Sequence, residues 1–160
     1  MSDDPLYSKP VLKLAAAATA AGELPEPNLA GLAQNPVCGD SVSVTMVLDA
    51  RGRVAAFAHE TKACVLTQAA ASILGAKAKG ADEACLRTLR NQVAAMLEGG
   101  EAPAVPFGDF AVLAAAARHR NRHTCVLLPI DAVLGAFAVA EPLELTKPKS
   151  KRPKPKSRCG

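Results

Sequence analysis

The sequence predicts an α+β domain: an N-terminal helix, a small antiparallel sheet of about three strands, and several C-terminal helices packed against it. Three observations lead there. Apolar and polar residues alternate strictly over residues 41–48, the pattern of a half-buried strand, and Asp49-Ala50-Arg51-Gly52 supplies the turn into a second strand. Beyond residue 64 the apolar period lengthens to that of helices. The chain of 160 residues is long enough to bury one core without disulfide staples.

Taken in order, residues 11–21 are rich in alanine and leucine and read as a helix, with Gly22 as its stop. Pro25 and Pro27 force an extended passage, and residues 28–34 form an edge strand. In the next strand Val42, Val44, Met46 and Leu48 face one way and Ser41, Ser43 and Thr45 the other; residues 53–59 complete the hairpin. Residues 64–77 form an alanine-rich helix closed near Gly75 or Gly80. Asp82 then caps a helix carrying Leu86, Leu89, Val93 and Met96 on one face. Gly99-Gly100 and the prolines at 103 and 106 break it. A short helix follows at about 109–117. The last helix, 126–138, aligns Ile130, Val133, Leu134 and Phe137 and accepts Pro129 only near its first turn.

From residue 147 onward lysine, proline, serine and arginine alternate with nothing apolar to bury, so residues 1–146 form the folded domain and 147–160 a disordered basic tail. Seven of the 19 Lys and Arg lie in that tail. The body keeps 12 basic against 15 acidic residues, so the formal charge of +4 describes the tail and not a fold specific for nucleic acid. With 49% apolar residues but only 3% aromatic, the core suits close-packed helices better than a large aromatic-lined pocket. No apolar run is long enough to span a bilayer and the first residues lack a signal-peptide pattern, so a cytoplasmic protein without membrane contact is expected. A Gly-rich phosphate loop, paired catalytic carboxylates and a Ser/His/Asp set are all missing.

The chemistry concentrates in three distant cysteines. Cys38 precedes Gly39 and Asp40; Cys64 follows 26 residues on and Cys125 another 61, each just ahead of a helix. Gly39 lets the chain turn so that Asp40 points back toward Cys38. Helix N-termini favour the thiolates that a metal or a persulfide requires. Three thiolates and a carboxylate would make a four-ligand site for Zn2+ or a small iron–sulfur cluster. The residues alone leave equally open that the three are small buried hydrophobes. Cys85 sits on the apolar side of its helix as core filler, and Cys159 is a tail thiol without a fixed role. His59 and His123 read as surface residues, although His123 could lean over the site as a ligand.

Pro36-x-Cys38-Gly39-Asp40, then Ala63-Cys64 followed by Ala69-x-Ala71-Ser72, then Arg122-x-x-Cys125 ahead of a helix, with Leu6-Tyr7 near the start, together resemble the IscU/NifU/SufU family of iron–sulfur scaffold proteins over residues 5–138. The resemblance implies a SufE/NifU-like fold in which Cys38, Asp40, Cys64 and Cys125 surround one metal site. Thr124 stands where IscU-type proteins place a histidine, and Asn121-Arg122-His123 replaces their Leu-Pro-Pro-Val-Lys chaperone segment. Ala21-Gly22-Glu23-Leu24 takes the place of their Asn-Pro-Arg-Asn run. The separation of Cys64 from Cys125 is closer to that in SufU.

The family implies a scaffold on which a cysteine desulfurase and iron build a transient [2Fe–2S] cluster for apo iron–sulfur acceptor proteins, with a homodimer around the cluster as one possible state. The alternative it implies is a zinc-dependent sulfurtransferase in which Cys125 accepts persulfide sulfur. A third reading is a zinc-stabilised adaptor that accepts no sulfur. Asp is a hard ligand beside three soft ones, so the cargo would be held loosely.

Overall fold

The computed structural model describes residues 7–36 and 39–140, with side chains through residue 138. Its order is α1 (Lys9–Ala17), β1 (Leu29–Asn35), β2 (Asp40–Leu48), β3 (Val54–Lys62), α2 (Val65–Lys77), α3 (Glu83–Leu97), two 3-10 segments (Gly108–Arg118 and Arg120–Arg122) and α4 (His123–Ala140). The class is α+β. The three strands are antiparallel in the order β1-β2-β3, as the short connections between them require. Val42, Val44 and Met46 enter the core together. Asp49 closes the β2–β3 turn by accepting the N–H groups of Arg51 and Arg53 on Oδ1 at 2.8 and 3.0 Å.

α2 is the central helix. Its run from Ala69 to Leu74 is buried throughout, and its alanines let neighbours approach closely. α4 lies across β1, where Gly31 is required: a Cβ there would come within 2.3 Å of the Ala132 carbonyl. α3 starts on its Asp82 cap, which accepts the Cys85 N–H at 2.8 Å, and is tied to α4 by the Arg90–Asp131 ion pair. Among the described residues no helix is long and apolar enough to cross a membrane.

Four expectations are corrected. α1 stops at Ala17, well before Gly22. Ala18 takes a left-handed conformation and the chain crosses to β3, where His59 N–H bonds Ala20 O at 3.0 Å and Gly22 N–H bonds His59 O at 2.8 Å. Those tertiary bonds outweigh alanine's helix propensity and a left-handed cost of about 1–2 kcal/mol per residue. Thr45, expected on the polar face, is covered by this crossing chain and accepts the Leu24 N–H at 3.1 Å. The segment expected as a helix at 109–117 winds as 3-10, whose period of three brings Phe110, Leu113 and Ala116 onto one buried line. α4 begins at His123, so Pro129 lies in the helix interior and not in its first turn.

Candidate metal centre

Three elements end at one place. Asp40 is the first residue of β2, Cys64 is the N-cap of α2, and Cys125 is the third residue of α4. Gly39 makes the first placement possible. With φ of 76° and its N–H on Asn35 O at 2.8 Å, it turns the chain in a conformation that L side chains rarely adopt. The ligand atoms of Asp40, Cys64 and Cys125 lie within 4.8 Å of one another. Cys125 Sγ is 3.9 Å from Asp40 Oδ2. Sulfur ligands at about 2.3 Å around a tetrahedral ion stand roughly 3.7 Å apart, so the donors are close to the separation that a metal needs. Two soft sulfurs and one hard oxygen suit zinc or iron and exclude a site built for magnesium or calcium.

The site carries its own counter-charge. Partial burial pulls the Arg122 pKa down, but the charges of Tyr7, Cys64 and Cys125, with a side-chain hydrogen bond to Cys125, carry it above the ordinary arginine value. A guanidinium beside both sulfurs offsets the negative charge of a thiolate and carboxylate set. Cys125 is 1% exposed, whereas Cys64 and Asp40 are half-buried.

A NifU-like N terminal domain model matches residues 6–126. The chain belongs to this family. A nitrogen-fixing NifU-like protein (N-terminal) from Brucella abortus is 34% identical, covering 87% of this chain and 96% of its own, with a TM-score of 0.82. A protein from Fervidobacterium islandicum AW-1, assigned as an iron–sulfur cluster assembly scaffold for the SUF system, is 17% identical with a TM-score of 0.74, over 85% of this chain and 99% of its own; at that identity it speaks for the fold. A hypothetical protein of solved structure is 25% identical with a TM-score of 0.74, over 83% of this chain and 97% of its own. No curated protein matches.

Within this NifU-like domain the sequence-derived residues fall as follows. Asp40, Cys64 and Cys125 converge. Cys38 and Cys159 lie outside the described residues, and Cys85 is buried in the core on α3. His123 turns away from the sulfurs: its Nε2 is 3.2 Å from Ala117 O and its Nδ1 3.8 Å from Glu98 Oε2, with the side chain 15% exposed. Its expected exposed position is thus corrected to a half-buried one, held by α4 starting at that residue. Thr124, directly before Cys125, is exposed. His59 was expected at the surface and is instead 3% exposed in the middle of β3, because β3 runs on to Lys62 and the chain after α1 covers it. An open cleft of about 480 Å³ beside His59, lined by Ala15, Ala18, Gly22, Lys62 and Gln68, contains none of the three converging ligands.

One residue of the site escapes sequence reasoning. Thr67 is fully buried on α2, one helical turn after Cys64. Its hydroxyl donates to Cys125 O at 2.9 Å, and its oxygen lies 3.6 Å from Cys64 Sγ. The only signal in the sequence was a hydroxyl among alanines on a buried helix, which also fits core packing.

Proposed function

We propose that this NifU-like domain is an iron–sulfur cluster assembly scaffold, with Asp40, Cys64 and Cys125 holding the cargo. The observation that carries this is their convergence at one point from three elements that are far apart in sequence. Cys38, two residues before Asp40 in the chain, is the fourth ligand in this reading. The protein takes sulfur from a cysteine desulfurase, carries a transient [2Fe–2S] cluster and gives it to apo iron–sulfur proteins. The mixed donor set supports release, because a carboxylate competes poorly with thiolate for iron in a sulfide-rich cluster. Residues 1–146 form the working domain, and residues 147–160 are dispensable. A chain ending at Thr146 should bind metal as the full chain does.

The runner-up, a zinc-bound sulfurtransferase of the SufU type, draws support from the near-tetrahedral separation of Cys125 Sγ and Asp40 Oδ2. Cys125 as the sulfur acceptor would first have to leave its buried seat, through ligand exchange at the metal. Purification without oxygen, followed by iron, zinc and acid-labile sulfide analysis and a visible spectrum, separates the two. The scaffold reading expects iron and sulfide in equal amounts after reconstitution and their transfer to an apo-ferredoxin. Retention of zinc alone, with sulfur accepted from a desulfurase, would replace it by the runner-up. A chain that retains no metal at all fits neither.

A further inference from the structure

Helix α4 contains an arrangement that the assignment of ligands leaves unused. The helical partner of the Cys125 carbonyl would be the N–H of residue 129, but that residue is Pro129, which has none. The proline ring also crowds the carbonyl one turn before it. A buried carbonyl has to be bonded somewhere. Thr67 supplies the bond from α2, its hydroxyl donating to Cys125 O at 2.9 Å. A threonine hydroxyl has one proton. With that proton committed to Cys125, the oxygen presents lone pairs to its other neighbour, Cys64 Sγ at 3.6 Å, and accepts the thiol proton.

We propose that Thr67 is the positioning residue of the metal site, one buried hydroxyl that ties the main chain carrying one sulfur ligand to the side chain of another. The inference rests on the metal-binding reading of Asp40, Cys64 and Cys125. Thr67 touches no cargo and acts only through Cys64 and Cys125. A sulfur that is bound to a metal has no proton to donate and can only accept a hydrogen bond. The single hydroxyl proton is then contested between the Cys64 sulfur and the Cys125 carbonyl. Pro129 weights that contest toward the carbonyl, because it withholds the N–H that would otherwise satisfy it.

The full chain, Co2+ as the probe metal, and three substitutions test this. Thr67→Val keeps the shape and loses the hydroxyl, Thr67→Ser keeps the hydroxyl, and Pro129→Ala returns an N–H to the helix. Thr67→Val should raise the Co2+ dissociation constant by roughly tenfold, the lower end of what outer-shell partners contribute. It should also move the 13C resonance of the Cys125 carbonyl in the metal-free protein. Thr67→Ser should stay within about threefold of the unsubstituted chain on the same scale. Pro129→Ala should free the hydroxyl for Cys64 and shift the sulfur-to-cobalt absorption band, but not when combined with Thr67→Val. A folded Thr67→Val chain that binds Co2+ as tightly as the unsubstituted one overturns the role of Thr67 alone. Absence of Co2+ binding by the unsubstituted chain removes the metal reading and this role with it. Should Thr67→Val not fold, an absorption band identical in Pro129→Ala and unsubstituted protein overturns the contested proton.

Discussion

His59 Nε2 lies 2.9 Å from the Thr19 carbonyl, so a side chain from mid-β3 fastens the chain that leaves α1. A carbonyl only accepts, which assigns the ring proton to Nε2. Nδ1, 2.9 Å from Thr61 Oγ1, then accepts that hydroxyl. The neutral ring therefore satisfies both neighbours, and a second proton would have to enter on Nδ1 at a position shielded from water. Burial holds the His59 pKa below the ordinary 6.5, against the opposing effect of the Thr19 bond.

Stability should accordingly depend on pH in a stated direction. The folded chain binds this proton less readily than the unfolded one, so the contribution of His59 is intact above about pH 6.5 and is lost as pH falls through that value toward the lower folded pKa. Urea midpoints between pH 8 and 5.5 should fall with acidification. His59→Gln should flatten the curve. An unchanged slope in that variant would assign the dependence to another group.

Gly31→Ala should destabilise the chain by about 1–3 kcal/mol, because the added methyl meets the α4 backbone and not a flexible side chain that could move aside. A drop of several degrees in thermal midpoint is the expected reading. Gly52→Ala, where a Cβ meets nothing within 4 Å, is strained only by its positive φ and serves as the control.

Metal content should separate the cysteines. Cys38→Ala, Cys64→Ala and Cys125→Ser should each lower bound metal sharply, whereas Cys85→Ala and Cys159→Ser should leave it intact. Elemental analysis of the five purified variants checks this, and equal retention in all would dissolve the ligand set.

Asp40→Ala divides the two functional readings. With zinc as the working metal, water replaces a carboxylate and affinity falls by about tenfold or more. On a scaffold the same change removes the release point, so a reconstituted cluster should last longer in air and transfer more slowly. Cluster decay, transfer to an apo-acceptor and zinc titration, run in parallel on variant and parent, decide between them. Behaviour unchanged in every arm would take Asp40 out of the site.

What was legible in the sequence is what local chemistry determines. Val42, Val44 and Met46 marked their strand by alternation alone, Asp82 marked a helix start by its oxygen, and Gly39-Asp40 marked a turn carrying a carboxylate. What was not legible depends on a partner far along the chain. α1 ends early because Ala20 and Gly22 bond to His59, and nothing near residue 18 reports a strand some 40 positions away. Pro129 sits inside α4, and the carbonyl it leaves without a helical N–H takes the Thr67 hydroxyl instead; no window holding one of these residues contains the other. The convergence of Asp40, Cys64 and Cys125 was reached from the family resemblance; spacing by itself left the thiols as plausible in a core as around an ion.

Drawing ligands from the start of β2, the cap of α2 and the first turn of α4 has a mechanical consequence. Asp40, Cys64 and Cys125 stand 24 and 61 positions apart along the chain, so an ion bound among them fastens the sheet to two helices more firmly than the Thr67–Cys125 and Cys125–Asp40 hydrogen bonds and packing do without it. Any ligand that binds only the folded form adds to its stability, by about 2.7 kcal/mol at a hundred times its dissociation constant. A loaded carrier would thus be stiffer than an emptied one at the very tip where the proposed exchange would take place. Partners meeting that tip could tell full from empty by its rigidity, without touching the cargo.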